Sequence, residues 1–103
     1  MFPDLKKDNK FFVGICKFDL HIHNCQSLKE KRRVIVSLEE KLKNRFNIAL
    51  CEYGELDLWQ RAQITTITCS NKQSVVDTTM KALIKYIEHF HPVTILNAEC
   101  QIL

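Results

Sequence analysis

Four cations stand close together in the stretch SLKEKRRVIVSLEEKLKNRF: Lys29, Lys31, Arg32 and Arg33. Such side chains pair with phosphate or carboxylate, arginine through a planar fork and lysine as a point charge. With Lys43 they form a candidate nucleic-acid or anion-binding set. Residues 27–46 hold seven Lys and Arg against three Glu, a net +4, while the whole chain is +3; the remainder is therefore −1 and the positive charge is local. Two readings compete: a surface for a phosphate-bearing partner, or a solvated face whose lysines lay their stems along apolar neighbours.

Other chemistry is more thinly supported. His21, His23 and Cys25 form H-x-H-x-C, and on a strand the period of two puts both imidazoles on one face, about 7 Å apart. A fourth ligand is missing, and no CxxC or HExxH reinforces the pattern, so solvated edge histidines are the expected reading and no metal is assigned. His89 and His91 flank a helix end, where positive charge near the last carbonyls is favourable. No cysteine carries a nucleophile signature, the carboxylates Asp19, Glu52, Asp57 and Glu99 are scattered, and the two glycines, Gly14 and Gly54, make no phosphate loop. A binding protein without a cofactor is expected, with a small enzyme as the lesser alternative.

The cations need an element to carry them, and the sequence supplies a helix. Ser27 and Glu30 make an S-x-x-E capping box, in which the hydroxyl accepts from the third helical N–H and the carboxylate reaches back to the cap. At 100° per residue Leu28, Val34, Ile35, Leu38, Leu42 and Phe46 share one arc, opposite Lys29, Arg33, Glu40 and Asn44. Cations in the first two turns oppose the helix macrodipole, and the i,i+4 pairs Lys29/Arg33 and Lys41/Arg45 each cost roughly 0.2–0.5 kcal/mol. A locally unfavourable arrangement of this kind points to use.

Around this helix the other elements follow from periodicity. Phe12, Cys16, Phe18, Leu20 and Ile22 alternate on one side of a first strand, while the odd positions turn polar at Lys17, Asp19, His21 and His23. A second strand spans Ile48 to Tyr53, an acidic loop Gly54 to Leu58, and a third strand Trp59 to Cys69 of undecided burial phase. Ser70 or Asn71 caps a second helix with Val76, Met80, Leu83, Ile84, Ile87 and Phe90 on its apolar side; Pro92 ends it. A fourth strand, Val93 to Leu103, places Leu96, Ala98, Cys100 and Ile102 inward and Asn97, Glu99 and Gln101 outward. The order βαββαβ with right-handed crossovers implies an α+β, ferredoxin-like fold: a four-stranded antiparallel sheet with both helices on one face and the other face open.

Length and composition set the remaining bounds. A chain of 103 residues, 46% hydrophobic and 26% charged, suits a single domain over 11–103 preceded by a flexible arm over 1–10. No apolar run is long enough for a bilayer and the N-terminus has no signal-peptide core, so a cytoplasmic location without membrane contact is expected. Five singly placed cysteines read as reduced thiols, mostly small core hydrophobes. RNA-recognition modules share this topology and stack bases on aromatics of the central strands, but RAQITTIT lacks them; RNA, if bound, would meet the basic helix.

The strings VGICKFDLHIH, SLKEKRRVIVSLEEKLKNRFNIAL and DLWQRA closely resemble the YlxP-like family of small bacterial proteins, whose function is undetermined. The likeness covers about Phe12 to Leu103. It implies a ferredoxin-like fold and a bacterial cytoplasmic protein and, through the company such genes keep, a role near the ribosome; it carries no catalytic residue. The pattern His23-Asn24-Cys25 departs from relatives, which usually have Pro soon after the His-Ile pair. Within DLWQRA, Trp59 is expected to seal the sheet edge and Arg61 to pair with Glu52 or Glu55 across the hairpin. The expected partners are RNA or ribosomal particles, with homodimerisation through the open sheet as the alternative.

Overall fold

The alternation that starts at Phe12 builds the strand on which the rest is laid. The structure, a computed structural model, describes residues 10–103; the arm expected over Met1 to Lys10 lies, Lys10 apart, outside the described residues. The elements are β1 (Phe12–Ile22), α1 (Leu28–Arg45), β2 (Ala49–Gly54), β3 (Arg61–Ser70), α2 (Gln73–Glu88) and β4 (Val93–Ile102). The strands form one sheet in the order β2-β3-β1-β4 with every neighbouring pair antiparallel. This is the ferredoxin-like βαββαβ arrangement, with β1 and β3 central.

The even face of β1 (Cys16, Phe18, Leu20, Ile22) packs with Ala62 and Ile64 of β3, Ile35, Leu38 and Leu42 of α1, and Val76, Leu83 and Ile87 of α2 in one core. Each large apolar side chain removed from water contributes about 1.5–3 kcal/mol. Gly14 marks a close approach of α2 to the sheet: a Cβ there would lie 2.6 Å from Val76 Cγ1 and 2.9 Å from Met80 Sδ. The phase of β3 resolves with Ala62, Ile64, Thr66 and Thr68 inward. Thr68 can be buried because its hydroxyl donates to the Asn47 carbonyl at 2.9 Å.

Four local expectations are corrected. Ser27 Oγ accepts from the Glu30 N–H at 3.1 Å, but the Glu30 carboxylate accepts from the Gln26 N–H at 2.6 Å, one residue before the cap. Lys72 is the N-cap of α2 and has no side-chain cap bond; Ser70 instead uses its hydroxyl on the turn, accepting from the Lys72 N–H at 3.1 Å. On β4 the register slips between Asn97, opposite Asp19, and Ile95, opposite Leu20. Leu96 is the extra residue of this bulge and is exposed, so Ile95 replaces it on the inner side. The cysteines also divide differently. Register partners Cys16 and Cys100 are joined as a disulfide across β1 and β4, Cys25 is a buried thiol, and Cys51 and Cys69 are exposed on the open face of the sheet.

Candidate nucleic-acid interface

Four residues of α1 are buried, Lys31, Ile35, Leu38 and Leu42, at the i, i+4, i+7, i+11 spacing of one helical stripe. Lys31 is thus on the core side and only 3% exposed. Its ammonium lies 3.1 Å from Glu52 Oε2 and donates to the carbonyls of Glu55 at 2.6 Å and Leu56 at 3.5 Å. The contact with Glu52 is electrostatic without hydrogen-bond alignment, since Oε2 is buried and accepts no hydrogen bond. Lys31 therefore leaves the anion-binding set. It latches the β2–β3 connection, residues 55–60, onto the start of α1.

Lys29, Arg32 and Arg33 remain, all exposed, and none forms an ion pair among the described residues. Together with Val36 they line a hollow of about 400 Å3. Lys43 is exposed on the same side of the helix, ten residues beyond Arg33 and so about 15 Å farther along the axis. Glu39 lies between them. Burial pushes its carboxyl above the ordinary range, with Lys43 lowering it and Glu52 raising it. Three exposed cations without an ion pair thus gather in the first two turns, and Lys41, Lys43 and Arg45 form a second exposed group in the last two.

The DLWQRA segment divides into residues that hold and residues that face water. Gln60 Nε2 donates to the Cys25 carbonyl at 3.3 Å, and its own carbonyl accepts from the Ile22 N–H at 2.9 Å, which ties the end of β1 and the approach to α1 to this loop. Arg61 pairs with neither Glu52 nor Glu55. Its register partner on β1 is His21, which brings its Nη2 to Asp19 Oδ2 at 2.6 Å. That hydrogen bond is the main cause raising the guanidinium above its ordinary value, opposed by partial desolvation. Trp59 does not seal the sheet edge: it is 48% exposed, beside exposed Leu58, and with Asp57, Gln60 and Arg61 the two line a hollow of about 380 Å3.

Of the H-x-H-x-C residues, His21 and His23 stand side by side and Cys25 does not join them. The rings of His21 and His23 lie 5.5 Å apart and tilted, His23 Nε2 is hydrogen-bonded to Thr94 Oγ1, and Cys25 Sγ points to the Ser27 carbonyl at 3.2 Å. Among the described residues no three His, Cys, Asp or Glu side chains could hold a metal ion. The open face does carry Lys17, Asp19 and His21 opposite Glu99, Asn97 and Thr94. It also holds an apolar end the alternation of β1 only hinted at, where Ile15 and Ile67 are register partners and Ala49 pairs with Ile67.

Residues 13–100 match the model of a family described as Protein of unknown function (DUF503). The chain belongs to that family. The chain is also similar to the uncharacterized protein YlxP of Bacillus subtilis (strain 168), 27% identical over 78 residues, which cover 76% of this chain and 85% of that one. Among solved structures, SnoaB, a cofactor-independent oxygenase from Streptomyces nogalater, aligns with a TM-score of 0.48 at 7% identity, covering 89% of this chain and 90% of SnoaB. A dimeric ferredoxin-like protein from an uncultured marine organism aligns with a TM-score of 0.43 at 12% identity, covering 92% and 87%. No helix among the described residues is long and apolar enough to cross a membrane.

Proposed function

We propose that this DUF503 chain is a cytoplasmic binding protein that engages RNA, free or within ribosomal particles, through the exposed side of the first two turns of α1, and that it performs no reaction there. The observation that supports this is the trio Lys29, Arg32 and Arg33, exposed and without a carboxylate partner among the described residues, gathered round one hollow. Unpaired cations at the positive end of a helix weaken the fold locally and are complementary to phosphate. The test is co-sedimentation with ribosomal particles, and binding to RNA, across a salt series. Replacing Lys29 and Arg33 with Glu is expected to leave stability unchanged or raise it by about 0.3–1 kcal/mol per favourable charge. Binding should weaken, and its salt slope should fall by about 0.7–0.9 for each phosphate that is no longer neutralised. Unchanged binding would make the patch a solvated surface only; a markedly lower melting point would make the two residues structural.

A second reading is homodimerisation through the open sheet, favoured by one observation: Ile67 is 44% exposed on that face, with Ile15 and Ala49 as its register partners. A second copy laid over the sheet would cover Ile15 and Ile67. Light scattering far above micromolar concentration decides it, a monomer mass removing the reading.

A further inference from the structure

The end of α1 and the end of α2 meet over a hollow of about 380 Å3, lined by Arg45, Phe46, Ala82, Lys85, Tyr86 and His89. Arg45 lies twelve residues beyond Arg33, about 18 Å along the axis of α1, so this hollow is separate from the first two turns. Arg45, Lys85 and His89 are exposed while Phe46, Ala82 and Tyr86 are half-buried, which sets basic groups round an apolar floor. No carboxylate lines the hollow, and among the described residues neither Arg45 nor Lys85 forms an ion pair. Lys81, one turn earlier on α2, does pair, with Asp77 at 2.9 Å. Cations in the last turn of a helix suit its macrodipole, which accounts for Arg45 and Lys85 singly. It does not account for two helices bringing them to one space, where like charges repel.

Two of the three basic groups are already oriented. The Arg45 guanidinium carbon lies 5.4 Å from the centre of the Tyr86 ring, and Phe46 meets that ring edge-on with centroids 6.2 Å apart. A guanidinium resting on an aromatic face keeps its in-plane N–H donors for an anion. His89 Nδ1 is 2.8 Å from the Lys85 carbonyl; a carbonyl only accepts, so Nδ1 carries the hydrogen and Nε2 is left for another partner. We infer that this hollow binds the phosphate group of a phosphate ester, with Arg45 as the fork, Lys85 as the point charge, and Phe46 and Ala82 against the organic part of the ester. Charge decides between phosphate and carboxylate. A carboxylate balances one of the two permanent cations, whereas a phosphomonoester, at about −1.5 to −2 with three acceptor oxygens, balances both. The site stands apart from the proposed RNA contact at Lys29, Arg32 and Arg33 and does not depend on it.

The full chain is titrated at constant ionic strength with inorganic pyrophosphate, adenosine diphosphate, adenosine and a 5′-phosphorylated RNA trinucleotide, reading calorimetry and backbone amide resonances together. Expected are saturable one-to-one binding of pyrophosphate and adenosine diphosphate, none of adenosine, and amide shifts gathered at Arg45, Lys85 and His89. Losing one charge-assisted contact should weaken pyrophosphate binding roughly 10- to 150-fold in Arg45→Gln and in Lys85→Gln. Arg45→Lys, which keeps the charge and loses the fork, should recover only part of it, and all three variants should keep the parent's amide spectrum away from the hollow. Lys29→Glu with Arg33→Glu should bind pyrophosphate as the parent does, so the site and the RNA reading fail separately. Tighter binding of adenosine diphosphate than of the trinucleotide assigns a free nucleotide and the reverse assigns an RNA end, and either supports the phosphate site. Pyrophosphate that does not bind, that shifts the amides of Lys29 and Arg33 instead, or that binds Arg45→Gln and Lys85→Gln as it binds the parent overturns it, leaving cations that serve the helix ends alone.

Discussion

Replacing Lys31 with Met should damage the fold and leave the proposed RNA-binding surface intact. The substitution keeps the apolar stem and removes the ammonium that lies 3.1 Å from Glu52 Oε2 and 2.6 Å from the Glu55 carbonyl. Removing one partner of a buried ion pair typically costs about 3–5 kcal/mol, because the other charge is left buried. Here the Glu52 side chain is 24% exposed, so water recovers part of that loss, and the loop carbonyls can turn toward solvent. The expected destabilisation is about 2–4 kcal/mol, or a melting point lower by about 10–20 °C for a domain of this size. Urea unfolding followed by circular dichroism measures it. Adding Glu52→Gln to Lys31→Met should restore part of the loss, since no unpaired charge then remains, and the cycle should show coupling of about 1 kcal/mol or more. A Lys31→Met variant within about 0.5 kcal/mol of the parent, or a cycle without coupling, would refute the latch. Below its unfolding transition the same variant should retain the salt slope for RNA, because Lys31 does not reach the surface.

Gly14→Ala places a methyl against Val76 and Met80, and since valine cannot swing aside freely the expected loss is about 1–3 kcal/mol in urea unfolding. Glu39 has a raised folded pKa, so between its ordinary range and that value the native state binds more protons than the unfolded one, and stability should fall as pH rises through the window. Glu39→Gln should flatten that segment of the pH–stability curve, and an unchanged curve would assign the slope to another group. Thiol titration without reductant should find three cysteines, Cys51 and Cys69 reacting in the native protein and Cys25 only on unfolding, with peptide mapping joining Cys16 to Cys100. Five equally available thiols would contradict the pairing.

The fold was largely legible because its signals are local. Alternation from Phe12 to Ile22, the cap at Ser27 and the stop at Pro92 each act within a few residues. What escaped depended on contacts distant in the chain. Leu96 looked inward by parity, but the bulge opposite Asp19 shifts parity by one, and a bulge leaves no mark in an alternating string. Arg61 was offered two nearby carboxylates, and the register of β3 against β1, which sequence does not specify, gave it Asp19 instead. The Cys16–Cys100 pairing likewise follows from the register of two strands at opposite ends of the chain. Lys31 is different, since its position was readable: it lies four residues before Ile35 and seven before Leu38, in the middle of the apolar arc. Grouping it with its neighbours by charge hid what its spacing disclosed.

That separation of Lys31 from Lys29, Arg32 and Arg33 changes what the basic run means. Four adjacent cations read as one patch suggest either a solvated face or a binding surface, with nothing to choose between them. The buried one now has a structural task, and it is the one that fixes the β2–β3 loop against α1. It also accounts for how the helix tolerates the other three: the Ser27 cap, the Glu30 carboxylate on the Gln26 N–H and the Lys31 latch hold its first turns in place against unfavourable charge. None of these involves Lys29, Arg32 or Arg33, and among the described residues no ion pair neutralises them. Their removal should therefore cost the fold little, and a reduction in polyanion binding that leaves the melting point unmoved is the result that a solvated-face account cannot produce.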